Sequence, residues 1–229
     1  MKKLSVTLSK KAITFGLIYW AVQFIALPQA LTWGNWILGN PFSLSELNFI
    51  FFVFNFIVIT VIFRDFLIQN FKILLQNPWR VLRYAGAGLV LYWVTSFLVN
   101  FVILLISPEF FNVNDQSIAE MTQENYVLMG VGTVLLVPVA EETLYRGVIF
   151  SSLYQKKPVL AICVSTLLFS VIHILGYVGT FEPLQLLLCT VQYIPAGLIL
   201  VWSYIKADCI WAPILIHIAV NQASNLSMR

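Results

Sequence analysis

Seven apolar segments follow one another along the chain, each close to the length of about 20 helical residues that crosses a membrane. They cover residues 12–30, with an aromatic extension to 38, and 47–68, 81–106, 126–153, 158–177, 183–205 and 209–225. Of all residues, 60% are apolar and 10% are charged, whereas soluble domains have about 45–50% and about 25%. An ordinary water-soluble domain is therefore excluded. The sequence predicts an all-α, polytopic bundle of transmembrane helices surrounded by the lipid bilayer.

The basic residues indicate how this bundle is oriented, because Lys and Arg collect in cytoplasmic loops. With the N-terminus in the cytoplasm, every Lys and Arg except Arg229 falls on the inner side or in the inner part of a span. The outer connections, 31–46, 107–125 and 178–182, contain acidic residues and no Lys or Arg. This asymmetry predicts about seven spans and a cytoplasmic N-terminus, and an eighth span formed by splitting or re-entry stays open. Residues 107–125 are predicted to form the longest outer loop.

The chain has no recognisable linker and no strongly basic segment, which bears on its domain organisation and its partners. No charge run or Pro-, Gly- or Ser-rich stretch marks a linker, so residues 1–229 are predicted to form a single integral membrane domain. The formal net charge is only +3. It offers no continuous basic face, and no nucleic-acid partner is expected. The composition and the charge bias favour a bacterial plasma membrane.

Ionisable and polar side chains occur inside three of the apolar segments, where a charged group costs about 2.5–3.5 kcal/mol on insertion scales. They are Glu141, Glu142 and Arg146 in the fourth segment, His173 in the fifth, and His217 and Asn221 in the seventh. The chain has only two histidines, and both lie within these segments. Such residues are candidates for function by default.

Helical spacing gives the two glutamates different surroundings. Glu142 and Arg146 are four residues apart, so they share a helix face and are predicted to form an ion pair. Glu141 is five residues from Arg146, about 140° around the helix, which leaves its carboxylate available for chemistry. His217 and Asn221 are again four residues apart and present an imidazole and an amide to a common point.

The depths of these side chains also agree. Glu141 and His173 lie 15 and 16 residues from the basic turn at 156–157, which places both about 22–24 Å from that turn. His217 and Asn221 lie about 14–20 Å into the last segment by the same rise. If the three helices are neighbours, all four side chains converge on one intramembrane cavity.

Such a set of side chains favours hydrolysis. A buried carboxylate beside a neutral imidazole can activate water as a general base, and a second imidazole with an amide can stabilise the oxyanion of a tetrahedral intermediate. The helical HExxH spacing of zinc proteases is absent, and Asn is a poor zinc ligand. No cofactor is therefore expected, although zinc binding stays open as an alternative.

Three motifs lie in order on separate apolar segments. They are EExxxR at Glu141, Glu142 and Arg146, FxxxH at Phe169 and His173, and HxxxN at His217 and Asn221. This pattern, within about residues 120–225, resembles the CaaX protease and bacteriocin-processing enzyme family (CPBP, also called Abi) of intramembrane, glutamate-dependent endopeptidases. The resemblance implies a helical membrane enzyme in which Glu141 and His173 activate water while His217 and Asn221 form the oxyanion site. Phe169 is expected to pack in the core.

The expected function is therefore that of an intramembrane protease acting on a hydrophobic or membrane-associated peptide. For a bacterial chain, the resemblance suggests bacteriocin self-immunity, peptide-pheromone maturation or processing of a membrane anchor. One alternative is a non-catalytic immunity or partner-binding protein that keeps the motifs as a scaffold. Another is a proton-coupled transporter that uses Glu141 and His173 as a relay. The lack of an internal repeat argues against transport.

Overall fold

The computed structural model describes residues 3–228 and folds them into ten helices. The helices are α1 (Lys10–Ile25), α2 (Leu27–Ile37), α3 (Leu44–Ile62), α4 (Arg64–Gln76), α5 (Pro78–Ile106), α6 (Val113–Glu124), α7 (Tyr126–Tyr154), α8 (Pro158–Leu175), α9 (Pro183–Ala207) and α10 (Trp211–Ser227). No β-strand occurs within residues 3–228, where a single bridge pairs Val178 with Phe181. The predicted all-helical class is confirmed.

Five of the described helices are long and apolar enough to cross a membrane, namely α3, α5, α7, α8 and α9. A sixth span is possible if α1 and α2 are taken together, although they are bent by 43°. Helix α10 covers the last predicted segment but has only 17 residues. The protein is thus a multi-pass membrane protein with five or six candidate spans, while the count of seven and the cytoplasmic N-terminus stay predictions.

Two predicted segments end earlier than the apolar pattern suggested. The first is broken at Ala26, because Pro28 in the first turn of α2 has no backbone N–H to continue the hydrogen-bond ladder. The second stops at Ile62, and a separate helix, α4, begins at Arg64. Helix α4 buries only Phe66, Leu67 and Asn70, as expected for a helix along the bundle surface.

Helix α7 is not a regular α-helix. Two stretches, Gly132–Leu136 and Thr143–Phe150, have the wider π-helical turn in which an N–H bonds to the carbonyl five residues earlier. The segments Tyr126–Val131, Val137–Glu142 and Ser151–Tyr154 are α-helical. Wide turns of this kind are rare and often occur at functional sites, and here one follows Glu142 directly.

The segment predicted as the longest outer loop is largely helical. Residues Val113–Glu124 form α6, which begins at Asn112, whose side chain accepts hydrogen bonds from the backbone N–H groups of the next turn. Val113 is buried with Ile174 and Leu186. The segment still connects two candidate spans, but it contains a helix, because the Asn112 cap and this apolar contact stabilise it against the ends of α8 and α9.

Candidate active site

A cavity of about 220 Å³ lies between the motif-bearing helices. Its walls include Glu141 from α7, His173 from α8, and His217 and Asn221 from α10. The structure therefore brings together the four side chains that the sequence singled out. They meet because α7 packs against α8 and α10 at the depth where the motifs lie.

The second glutamate has two partners. Glu142 Oε1 lies 3.1 Å from Arg146 Nη1, so the predicted ion pair forms, and it lies 2.9 Å from His217 Nδ1. The side chains of Glu142 and Arg146 are fully buried. Arg146 also donates to the carbonyl of Gly197 in α9. Glu142 thus links α7 to α10, a contact that the spacing within one helix could not reveal.

The first glutamate is placed differently. Glu141 Oε2 is buried and has no hydrogen-bond partner among the described residues, and its carboxylate faces the cavity. Buried polar atoms are rarely left without a partner unless a site uses them. Glu142 contacts a cation and an imidazole through Oε1, while its Oε2 is also buried without a partner. The two glutamates therefore differ in that Glu142 is held by Arg146 and His217, whereas Glu141 has no hydrogen-bond partner among the described residues.

His173 is held from two sides. Its Nδ1 lies 2.7 Å from the carbonyl oxygen of Phe169, one turn earlier, and can only donate a hydrogen there. Its ring stacks on Tyr193, with centroids 4.2 Å apart and planes inclined by 22°. With the proton on Nδ1, Nε2 is the unprotonated nitrogen of the neutral ring, the nitrogen that can accept a hydrogen bond.

The stacked tyrosine is itself fixed by α6. Its hydroxyl donates to Asp115 Oδ1 at 2.7 Å and accepts from Asn114 Nδ2 at 3.1 Å. Asn114 and Asp115 also line the cavity. Helix α6 is therefore part of the site and fixes the ring against which His173 packs.

Helix α6 is attached at both of its ends. At its start, Asn112 donates to Gln192 of α9. At its end, Glu124 Oε2 accepts from the backbone N–H of Ser45, 3.1 Å away. Hydrogen bonds from the Ser45 side chain and backbone hold the pKa of Glu124 below its usual range. These contacts keep α6 against the cavity without any covalent link.

Phe169 packs in the core, as predicted. It is 3% exposed and makes edge-to-face contacts with the rings of Tyr145, His173 and His217. The guanidinium of Arg146 lies 4.4 Å from the centre of its ring. Phe169 thus separates the buried cation from His173 and supports both imidazoles.

Asn221 is anchored by an irregularity in α7. Its Nδ2 donates to the carbonyl of Thr133 at 2.8 Å. That carbonyl lacks its usual helical partner, because the N–H of Val137 bonds to Gly132 instead and Pro138 has no N–H. The wide turn therefore provides the acceptor that orients the amide, and the second N–H of the amide is left for another acceptor.

Sequence reasoning missed several residues of this site. Tyr193, Asn114, Asp115 and Thr133 all line the cavity but belong to none of the three motifs. Tyr193 could have been found, because Gln192 and Tyr193 are adjacent polar residues within an apolar helix. For the others nothing in the spacing stood out. Among residues 3–228, no group of three or more His, Cys, Asp or Glu side chains has the arrangement of a metal site.

Comparison with known proteins bears directly on this region. Residues 123–223 match the family model "Type II CAAX prenyl endopeptidase Rce1-like". The resemblance to the CPBP family is thereby confirmed. The matched region contains all of the motif residues. No curated protein and no solved structure matches the chain. Since Rce1-like proteins are proteases, the comparison supports a protease of the CAAX type.

Proposed function

We propose that the protein is an intramembrane endopeptidase that hydrolyses peptide bonds of a hydrophobic or membrane-associated peptide. The observation that carries the proposal is the unpartnered carboxylate oxygen of Glu141, in a cavity shared with two histidines and an amide. The bilayer of a bacterial plasma membrane is the proposed surrounding. Bacteriocin self-immunity and peptide maturation are the roles proposed for such an activity.

In the first step, Glu141 acts as general base. It takes one proton from a water molecule whose other O–H donates a hydrogen bond to His173 Nε2. The water oxygen then attacks the peptide carbonyl carbon. The C–N bond of the tetrahedral intermediate then breaks, and the proton passes from Glu141 to the leaving amine. A carboxylate oxygen without a competing hydrogen-bond partner among the described residues is suited to this task.

Stabilisation of the oxyanion is assigned to His217 and Asn221. Asn221 has one N–H left after its bond to Thr133. His217 Nδ1 lies 2.9 Å from Glu142 Oε1, and Nε2 can serve as the donor to the oxyanion when it carries a proton. Glu142 and Arg146 are thus assigned supporting roles: Glu142 orients His217, and Arg146 balances the charge of Glu142.

This mechanism needs no metal ion. The assignment rests on the Glu and His groups that face the cavity and on the missing HExxH spacing. Treatment of the purified protein with a strong chelator should leave cleavage largely intact. Complete inhibition that added zinc reverses would show that the zinc alternative is correct.

The decisive experiment compares the purified protein with its Glu141→Ala variant on a panel of membrane peptides, with mass spectrometry of the products. Cleavage by the wild type that the variant lacks supports the endopeptidase. A non-catalytic binding protein would bind peptides without cleaving them. A transporter would move protons across reconstituted vesicles in the absence of any cleavage, which would overturn the proposal.

A further inference from the structure

The two ends of the helix bundle carry opposite charge. Every Lys and Arg of residues 3–228, apart from the buried Arg146, lies at one end, here called the basic end. The structure assembles that end from distant segments, as the hydrogen bond from Ser5 to Asp208 shows. The other end, here called the acidic end, holds Glu46, Glu109, Asp115, Glu120, Glu124 and Glu182.

Among residues 3–228, the carboxylates of the acidic end form no ion pair. All but Glu46 are exposed, and the hydrogen bonds they accept come from neutral groups, as from Gln116 to Glu120 and from Ser45 to Glu124. The connections at this end, 31–46, 107–125 and 178–182, contain no Lys or Arg, and the one basic residue that the sequence places on this side, Arg229, lies outside the described residues. A negative potential therefore extends from this end into the surrounding water.

The catalytic cavity reaches this same end. Beyond Glu141, its walls are formed by Asn48 near the start of α3, Asp115 in α6, and Ser224 and Met228 at the end of α10. These residues all belong to the acidic end. The basic end is instead closed by a packed cluster that includes Phe63, Tyr154 and Tyr204. A peptide that reaches the unpartnered oxygen of Glu141 by way of this cavity therefore passes the acidic carboxylates first.

We infer that the cavity takes its substrate from the acidic end, and that the substrate is a cationic one: an apolar peptide segment flanked by Lys or Arg. The inference rests on the proposed endopeptidase activity and specifies its substrate class. Because basic residues mark the cytoplasmic side of membrane proteins, such a peptide arrives from the extracytoplasmic side. The charges of the peptide stay in water beside the exposed carboxylates while its apolar segment enters the cavity.

Two consequences can be measured. Electrostatic attraction raises association rates and is screened by salt, with a Debye length of about 10 Å at 0.1 M. Cleavage of cationic peptides should therefore be favoured mainly through a lower KM. The preference should shrink as the salt concentration rises.

The test uses three peptide libraries that share a randomised apolar segment and differ only in the flanking residues, which are Lys, Gln or Glu. In neutral detergent at low salt, kcat/KM should decrease in that order, by about tenfold or more between Lys and Glu. Replacing Glu109 and Glu120 together by Gln should reduce this ratio severalfold. Neither residue bonds to a catalytic group. The matched control Asp65→Asn removes an exposed carboxylate at the basic end and should leave the ratio unchanged.

Binding of the fluorescent libraries to the Glu141→Gln variant separates the two proposals. Equal cleavage of the three libraries by the wild type, lost in Glu141→Gln, would refute the cationic substrate and keep the endopeptidase. If nothing is cleaved, the proposed function fails, and tighter binding of the Lys library than of the Glu library still supports recognition of cationic peptides. Equal binding of all three libraries would overturn the inference in either case.

Discussion

The two longest helices of the bundle, α5 and α7, have 29 residues each but very different surroundings. In the most apolar stretch of 18 residues in each helix, 6% of the residues are buried in α5 and 50% in α7. Helix α5 exposes Trp93, Phe97 and Phe101, as expected for a lipid-facing helix. Helix α7 buries Glu142 and Arg146. A span's length thus says little about its role, whereas its polar content indicates which helix is enclosed by the others.

The effect of a substitution on cleavage should differ most between these helices when the change removes one functional group and keeps the shape of the side chain. Glu141→Gln keeps the shape of the side chain but cannot accept the proton of water, so cleavage should drop by about a hundredfold to ten-thousandfold. The matched change on α5 is Thr95→Val, because the Thr95 hydroxyl donates only to backbone carbonyls of the same helix. It should leave kcat/KM unchanged. Near-normal cleavage by Glu141→Gln would refute the assigned base.

The next effect concerns the two groups of α10 that face α7. His217→Ala and Asn221→Ala should each lower kcat by about a hundredfold to a thousandfold, because each removes one donor to the developing oxyanion. Single-turnover kinetics with a cleaved peptide measures this directly. A change confined to KM would assign these residues to substrate binding instead.

Glu142→Gln tests the buried cluster of α7. The change weakens the partner of Arg146 and of His217 at once, and because the Glu142–Arg146 pair is fully buried, we expect a loss of about 3–5 kcal/mol in unfolding free energy. Thermal unfolding in detergent, followed by size-exclusion chromatography, measures the loss. A Glu142→Gln protein that is fully stable but inactive, together with an active Glu141→Gln, would reverse the roles of the two glutamates.

A smaller effect distinguishes glycines on the two helices. A Cβ at Gly132 of α7 would clash with the Phe52 ring, whereas a Cβ at Gly86 of α5 would meet no atom within 4 Å. Gly132→Ala should therefore destabilise the protein by about 1–3 kcal/mol. Gly86→Ala should stabilise it by about 0.5–1 kcal/mol, since Ala is the better helix former. Equal melting temperatures for both variants would contradict the packing difference.

Single cysteine substitutions at exposed positions should disturb the protein least, and they test the direction in which α5 and α7 cross the membrane. In a Cys163→Ser background, a cysteine at Gln123, exposed just before α7, should react with an impermeant thiol reagent in intact cells. A cysteine at Gln76, exposed just before α5, should react only after lysis. The charge distribution predicts this outcome, and the opposite labelling pattern would invert the topology.

The ends of several helices could be predicted, because they depend on the length of an apolar segment and on the charged and Pro residues next to it. The segments that became α5, α8 and α9 were placed to within a few residues, since charged and Pro residues bound them. Helices α4 and α6 were missed, because a surface helix with few buried residues has a weak periodic signal. The bend between α1 and α2 was missed as well, although Pro28 marks it.

For the site, the motif residues were predictable because ionisable groups are costly in apolar helices. The Glu142–Arg146 pair followed from spacing within one helix, and the structure contains it. The contact of Glu142 with His217 was not predictable, because it depends on how α7 and α10 pack. The role of Tyr193 was not predictable either, since its partners lie in a helix that the sequence suggested was a loop.

The wide turn at Gly132–Leu136 has a consequence for protein engineering. An ideal α-helix gives nearly every backbone carbonyl a partner within the helix, so grafting only the side chains of this site onto a straight designed helix would remove the acceptor that orients Asn221. A faithful graft has to copy the backbone irregularity together with Pro138, which keeps the carbonyl of Thr133 free. In this protein an interruption of the helical ladder is as much a component of the site as any of its side chains.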